Sequence, residues 1–458
     1  MSWKNLIVGF ACVCACASVE ADPGAAARGG AAARSTSGGP NAVSAETIAT
    51  AVRNEGGRPT RATAAQAEFG DGGLPSIAHT LNEQVIGIPV DPAGTITLEA
   101  TVFKPDGPGP FPMVVFNHGK IEGDPRAQPR SRPLSFAREF VRRGYVVVAP
   151  NREGFANSGG QYRQQGCNVE QNGMAQAEDV AATVAFMSKM SYVDASHIVV
   201  AGASHGGLTT IAYGAAGTAP GVRGLINFSG GLRQDACANW QDNLTHAFGA
   251  YGERVHLPSL WVYGDNDSVW PPDLTSRMYT GYVEHGAHAS MIDVGSYKND
   301  AHRLVVDRDG VRIWWPAVDA FLERIGMPTR IQCRVESPAE PNASGYAAVE
   351  AVDAVPYLDA AGREAYRKFL EQYPSRAFAV SSSGAWSWAE GDDDPMSVAL
   401  ANCQKENHDQ PCRLYAVDNA VVWNDRQRAT TQTAASGHGS DASGAANSTE
   451  NRSFASRD

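Results

Sequence analysis

Residues 197–213 read HIVVAGASHGGLTTIAY, and the interpretation of this run decides the fold. Ile198, Val199 and Val200 form a short β-branched segment bounded by small residues, the mark of a buried strand. Gly202-Ala203-Ser204-His205-Gly206 then fits G-x-S-x-G, a serine displayed on a tight strand-to-helix turn. Both glycines have a physical reason. Neighbouring chain passes close to a serine held in that strained backbone, and a Cβ two residues to either side would clash. From Gly207 onward, GLTTIAYG reads as a helix whose N-terminal dipole and free N–H groups face the serine oxygen. A chain with 47 glycines can meet this pattern by accident, so the flanking strand and helix carry the weight.

The surrounding sequence repeats the same alternation. Upstream, NEQVIGIPV and TITLEATVFKP are alternating segments joined by Asp91-Pro92-Ala93-Gly94, a hairpin pattern. Residues 113–116 give a third strand, ending in Asn117-His118-Gly119. Leu134, Phe136, Phe140 and Val141 have helical spacing, closed by Gly144, and YVVVAP (145–150) is a strand apolar enough to be buried on both faces. Residues 151–160 form a loop at its carboxyl end, and 174–189 a second helix. Beyond the serine, strands are expected at 222–230, 258–267 and 289–294, with helices at 239–254, 273–285 and 314–325. The expected fold is therefore α/β: a mainly parallel eight-stranded sheet, helices on both faces, spanning 76–328. Ligands of such sheets sit outside the carboxyl ends of the strands.

A serine hydroxyl needs a histidine base, itself oriented by a carboxylate. After the seventh strand come Asp265 and Asp267, either of which could orient the base, the other only capping a turn. His285, His288 and His302 compete for the base. The first two flank a helix end, where histidines serve the dipole or the surface; His302 lies in the loop after the last strand. The order serine, aspartate, histidine is that of α/β-hydrolases and not of the two common protease arrangements. An oxyanion hole needs two N–H groups: the backbone of His205, and one from the loop around Gly119 and Lys120. The His118 side chain is expected to brace that loop. Arg152, Tyr162, Trp240 and Trp270 lie in loops at the expected mouth and are candidates to shape the substrate pocket.

Gly202 to Gly206, the Gly264 to Asp267 segment, Asn117-His118-Gly119 and His302 together resemble the α/β-hydrolase superfamily, most closely its dienelactone hydrolase-like branch. The resemblance covers roughly 81–327 and favours Asp267 over Asp265, since G-x-x-D before a V-x-P turn is the usual placement. Dienelactone hydrolases themselves carry cysteine as nucleophile. Ser204 stands there in this sequence, so the resemblance implies a serine esterase with no cofactor.

Composition narrows the setting. The 458 residues are 43% hydrophobic and 19% charged, with a formal charge of −11, which disfavours nucleic acid as a partner. No apolar run in the body of the chain is long enough to span a membrane. Residues 1–21, one lysine followed by an apolar block and small residues, resemble a secretory signal, implying a periplasmic or secreted protein. Val13-Cys14-Ala15-Cys16 offers the alternative of a lipid anchor on Cys16. In an oxidising compartment Cys403 and Cys412, close in sequence, should pair; Cys167 with Cys237 is plausible and leaves Cys333 odd. No cysteine or histidine cluster has zinc-ligand spacing, so no metal is expected.

Residues 22–75, rich in Ala, Gly, Arg, Ser and Thr, read as a flexible arm, and 425–458 as a low-complexity tail. Residues 329–345 read as a linker, and 346–424 as a small α+β module: a helix, a strand and turn, a second helix and a closing strand. Its 376–422 stretch is similar to small secreted modules that pair a W-x-W strand, an Ala-rich helix with Cys and a C-x-[LV]-Y strand. Trp386 and Trp388 share one face of a strand, as a packing pair or a ligand platform. Asp392-Asp393-Asp394 reads as a solvated turn and cap. Three functions remain open: an exported esterase acting on a small-molecule ester, a peptidase of the same fold, or a binding protein of the envelope with a vestigial hydrolase domain.

Overall fold

A computed structural model describes residues 42–44 and 74–424, apart from 92, 337, 338, 392, 393, 406, 408 and 409. The leader-like segment with Cys16, the rest of the arm, Asp392-Asp393 and the tail from 425 lie outside the described residues. Among the described residues, fifteen strands and eight α-helices follow in chain order. The strands are β1 (Ala42–Ser44), β2 (Ser76–Ile77), β3 (Gln84–Pro89), β4 (Thr97–Phe103), β5 (Phe111–Asn117), β6 (Val146–Pro150), β7 (Val193–Ala203), β8 (Val222–Phe228), β9 (Ser259–Tyr263), β10 (Ala289–Asp293), β11 (Arg334–Val335), β12 (Arg376–Ser381), β13 (Trp386–Glu390), β14 (Cys412–Val417) and β15 (Ala420–Val421). The helices are α1 (Leu134–Val141), α2 (Val169–Met187), α3 (His205–Ala216), α4 (Trp240–Gly252), α5 (Pro272–Glu284), α6 (Val311–Arg324), α7 (Ala360–Glu371) and α8 (Pro395–Lys405).

The main sheet runs in the order β1-β10-β9-β8-β7-β5-β6-β4-β3. The eight expected strands, β3 to β10, are all present, with β4 antiparallel to both β3 and β6 and the remainder parallel. Residues 42–44, inside the segment read as an arm, add the ninth strand alongside β10. Strand alternation sends side chains to two separate cores. Met113 and Val115 of β5, with Ile198 and Val200 of β7, pack under α2 to α5; Val114, Phe116, Val199 and Ala201 pack under α1 and α6. Two layers of helix on a parallel sheet leave only its strand ends open, and the loops and helix starts there carry the candidate site residues.

Some boundaries differ from the sequence expectation for local reasons. Helix α2 begins five residues early, at Val169, because the Asn168 side chain accepts from the Gln171 N–H at 2.9 Å and caps it. Cys167, next to that cap, is bonded to Cys237 before α4. The segment read as a linker is not free chain. Its β11 pairs with β2, and the Gln332 N–H donates to the Arg142 carbonyl at 2.7 Å.

The C-terminal module is a four-stranded antiparallel sheet, β13-β12-β14-β15, with α7 and α8. It contains two hairpins where the sequence suggested single strands. Gly384 at φ +88° turns the first and Asp418 at φ +50° the second. Trp386 and Trp388 pack against the module's core around Phe378 and Tyr366, and Cys403 is bonded to Cys412. No helix among the described residues is long and apolar enough to cross a membrane.

The Cys167–Cys237 bond closes a long loop, with a sequence separation of 70. Replacing both cysteines by serine should lower the unfolding free energy by about 2–4 kcal/mol, read as a lower urea midpoint. A midpoint equal to that of the oxidised wild type would show that the bond does not hold the fold.

Candidate active site

Ser204 sits between β7 and α3 at φ +53° and ψ −123°, a conformation that costs a non-glycine residue about 1–3 kcal/mol. The turn is fixed from below. The Ser204 N–H donates to the Phe228 carbonyl at 3.0 Å, while its own carbonyl accepts from Gly207, Leu208 and Gly231. A Cβ on Gly202 would lie 2.2 Å from the Gly206 carbonyl oxygen, and one on Gly206 only 1.9 Å from that of Asn117. Backbone stands in both directions, so no side chain can be accommodated at either position. Across the turn, a Cβ on Gly119 would meet Ser204 Cβ at 3.3 Å, which places the end of β5 against the serine.

The two expected oxyanion segments flank Ser204. Gly119 and Lys120 follow β5, and His205 opens α3. Among the described residues their N–H groups donate to no main-chain acceptor, and the Ser204 hydroxyl has no hydrogen-bond partner. Beneath them lies a buried polar network that sequence reasoning missed in part. Arg152 donates from its guanidinium to the His118 carbonyl at 2.7 Å and to His205 Nδ1 at 3.1 Å. The Arg152 N–H donates to His118 Nε2 at 3.1 Å; His205 Nε2 donates to Asn172 Oδ1 at 2.8 Å, and Asn172 Nδ2 to the Tyr162 hydroxyl at 3.0 Å. Arg152 was expected at the mouth. It is fully buried instead, because its own N–H is tied inward to His118, and it joins the two segments that carry the oxyanion candidates. Burial pushes its guanidinium down to about 10, and no carboxylate forms an ion pair with it among the described residues. Burial first, and then the Arg152 charge, push both His118 and His205 well below the ordinary histidine value.

Asp267 and His302 meet on the other side. His302 Nδ1 lies 3.0 Å from both Asp267 oxygens, and Asp267 Oδ1 also accepts from the Val269 and Trp270 N–H groups at 2.9 and 3.0 Å. Burial alone would raise the Asp267 carboxyl, but the hydrogen bond and charge of His302, with those two N–H groups, outweigh it and hold the carboxyl below its ordinary value. His302 opens no other bond through its ring: Nε2 has no partner among the described residues. Asp265 is exposed and faces Asp293, which raises its carboxyl. His285 lies on the α4–α5 surface, its Nδ1 against the Gly281 carbonyl.

The other pocket candidates divide. Trp270 is buried, its indole N–H donating to the Ser229 carbonyl at 2.7 Å and its ring 6.1 Å from that of His302, so it packs against His302 and does not line the mouth. Tyr162, half-buried, stands edge-on to His205 at 5.9 Å with Lys120 Nζ over its face; Trp240, also half-buried, lies 6.2 Å from Trp270. Among the described residues no group of three or more His, Cys, Asp or Glu is placed to hold a metal. Asn172 gave no sequence signal, because a buried asparagine outside any motif carries none; Asn117, quoted with His118 and Gly119, donates to Thr210 Oγ1 at 2.9 Å.

Residues 134–256 match the model of the Prolyl oligopeptidase family. No curated protein sequence matches the chain. Among solved structures, a puromycin-hydrolysing peptidase of Mycobacterium tuberculosis shares 19% identity over 58% of this chain and 43% of its own, at a TM-score of 0.42. The chain thus spans less than half of that peptidase. A putative dienelactone hydrolase of Klebsiella pneumoniae shares 17% over 53% of this chain and 99% of its own, at 0.39. A Pyrococcus furiosus esterase shares 16% over 54% of this chain and 92% of its own, at 0.40.

The Arg152 network dictates opposite tautomers: His118 protonated on Nδ1, toward the Gly119 carbonyl, and His205 on Nε2, toward Asn172. Nitrogen-15 NMR should find both rings neutral from about pH 5 to 8. Titration of either near the ordinary histidine value would contradict the network.

Proposed function

We propose that the chain is a serine hydrolase of the α/β-hydrolase superfamily and cleaves carboxylic esters through Ser204, His302 and Asp267. Ser204 Oγ attacks the ester carbonyl while His302 Nε2 takes its proton. Asp267 fixes the ring with its Nδ1–H inward, leaving Nε2 as the only basic nitrogen, and stabilises the imidazolium that forms. The His205 N–H and one from Gly119 or Lys120 hold the oxyanion. His302 then returns the proton to the departing alkoxide, and water activated by the same ring releases the acyl group. Ester hydrolysis makes the smallest demand on this machinery, since an alkoxide leaves more readily than an amine.

The observations that support the reading are the Asp267–His302 pair, with Nε2 uncommitted, and a serine held in a strained turn against Gly119, both in segments that follow the carboxyl ends of the parallel strands. The Ser204 hydroxyl and His302 Nε2 form no hydrogen bond in the resting structure; such bonds often tighten only with substrate bound. Two disulfides support an oxidising compartment, and with it an exported protein. The match to the Prolyl oligopeptidase family favours a second reading, amide or peptide hydrolysis by the same residues.

A fluorophosphonate should label wild-type protein on Ser204 alone, as read by peptide mass. Ser204→Ala should abolish labelling, and Asp267→Asn should slow ester turnover by about 10⁴-fold. A panel of nitrophenyl esters of varied acyl length, run against aminoacyl nitroanilides, separates the two substrates. Higher kcat/KM on the esters supports the esterase, and the reverse makes the chain a peptidase. Folded protein that takes no phosphonate would exclude both.

A further inference from the structure

The loop that carries His302 is held from two sides, and only one of them belongs to the hydrolase sheet. On the sheet side, Asn266 Nδ2 donates to the Tyr297 and Lys298 carbonyls at 3.3 and 3.2 Å, and the Tyr297 N–H donates back to Asn266 Oδ1 at 2.9 Å. Asp300 accepts from the Ser268 N–H and hydroxyl at 3.0 and 2.8 Å, and from the His302 N–H at 2.9 Å. These bonds tie the base loop to the segment that carries Asp267.

The opposite side faces the C-terminal module. Arg303, the residue after His302, pairs through Nη1 with Glu390 Oε1 of β13 at 2.7 Å, and through Nη2 with Asp307 at 3.3 Å. Lys298 Nζ donates to Asp307 Oδ2 at 3.0 Å and to the Pro374 carbonyl at 3.2 Å, and lies 5.5 Å from the centre of the Tyr373 ring. Asp307, buried, also accepts from the Tyr297 hydroxyl at 3.3 Å. Gly391 closes the contact. A Cβ there would lie 2.8 Å from Arg303 Nη2 and 2.9 Å from Asp307 Oδ1, so the module's backbone rests directly on the cluster. Lys298 holds φ +46°, a conformation that persists in a non-glycine residue only where its surroundings over-determine it.

We propose that the C-terminal module is a clamp on the histidine loop, with Glu390 and the Pro374 carbonyl as positioning groups that hold Arg303 and Lys298 and so set where His302 stands. The catalytic consequence rests on the reading of His302 as the base. A module that merely packed beside the hydrolase would have no need to supply an acid and a carbonyl to the two cations that bracket residues 299–302. Displacing a catalytic group by about 1 Å can cost about 10²-fold in rate, so loosening this loop should lower turnover without weakening ground-state binding.

The test uses the full-length chain and three variants. Glu390→Gln breaks the pair from the module, Arg303→Gln breaks it from the hydrolase side without touching the module, and Glu364→Gln removes an exposed acid of α7 away from the contact. Hydrogen exchange read by mass spectrometry should show faster exchange across 297–307 in the first two variants, with β12 to β14 protected as in wild type. Phosphonylation of Ser204 and kcat on a nitrophenyl ester should fall about tenfold at unchanged KM, and Glu364→Gln should behave as wild type. Unchanged exchange across the loop in both variants would overturn the clamp, as would a looser loop with no slowing of Ser204. Wild-type protein inert to phosphonate would end the hydrolase reading instead, and the exchange comparison would still decide whether the module holds the loop.

Discussion

Everything at the carboxyl end of the sheet depends on how closely the turn after β7 approaches the end of β5. With a Cβ on Gly206 excluded at 1.9 Å from the Asn117 oxygen, the chain leaving the serine has one path available, and it runs against the loop at Gly119. That contact brings together the half-buried Ser204 and two segments whose N–H groups, among the described residues, donate to no main-chain acceptor. It also forces polar atoms into the interior, where each needs a partner. Arg152 is the answer to most of that need, bonding the His118 carbonyl on one side and the His205 ring on the other.

The two halves of the site are electrostatically unlike. Under the serine lies a buried cation with two histidines that its charge, together with burial, keeps neutral. Behind the proposed base lies a buried carboxylate whose charge is favoured by its hydrogen bonds. A developing oxyanion and a developing imidazolium would each meet the sign that suits it, in a setting where neither has to wait for water to reorient. The second half, however, hangs on a loop with little sheet support. Strand β10 ends at Asp293, nine residues before His302, and the bridging segment gets its shape from Asn266, Asp300 and the module.

The sheet was legible in the sequence because parallel strands buried on both faces are written as unbroken apolar runs, VVVAP at 146–150 being the plainest. The serine turn was legible because its glycines are compelled by backbone contacts, which leave a fixed spacing. Order along the chain singled out Asp267 and His302, and spacing alone left Asp265 beside Asp267; in the structure it is Asp267 that bonds His302 Nδ1, while Asp265 is exposed. What the sequence could not show was direction. Arg152 and Trp270 occupy loops at the correct end of the sheet, and whether such side chains turn outward to a substrate or inward to a carbonyl depends on neighbours far away in the chain, here His118 and Ser229. The module's contact with the histidine loop was hidden for the same reason, since Glu390 and Arg303 are 87 positions apart and belong to no shared motif.

The central claim is that His302 serves Ser204, and the most direct measurement of it is a crystal structure of the phosphonylated protein. The account predicts His302 Nε2 within about 3.2 Å of the Ser204 oxygen or the phosphonyl oxygen next to it. It also predicts the remaining oxygen within about 3.1 Å of the His205 N–H and of an N–H from Gly119 or Lys120. An adduct on Ser204 with the imidazole still turned away, and another group in its place, would contradict it.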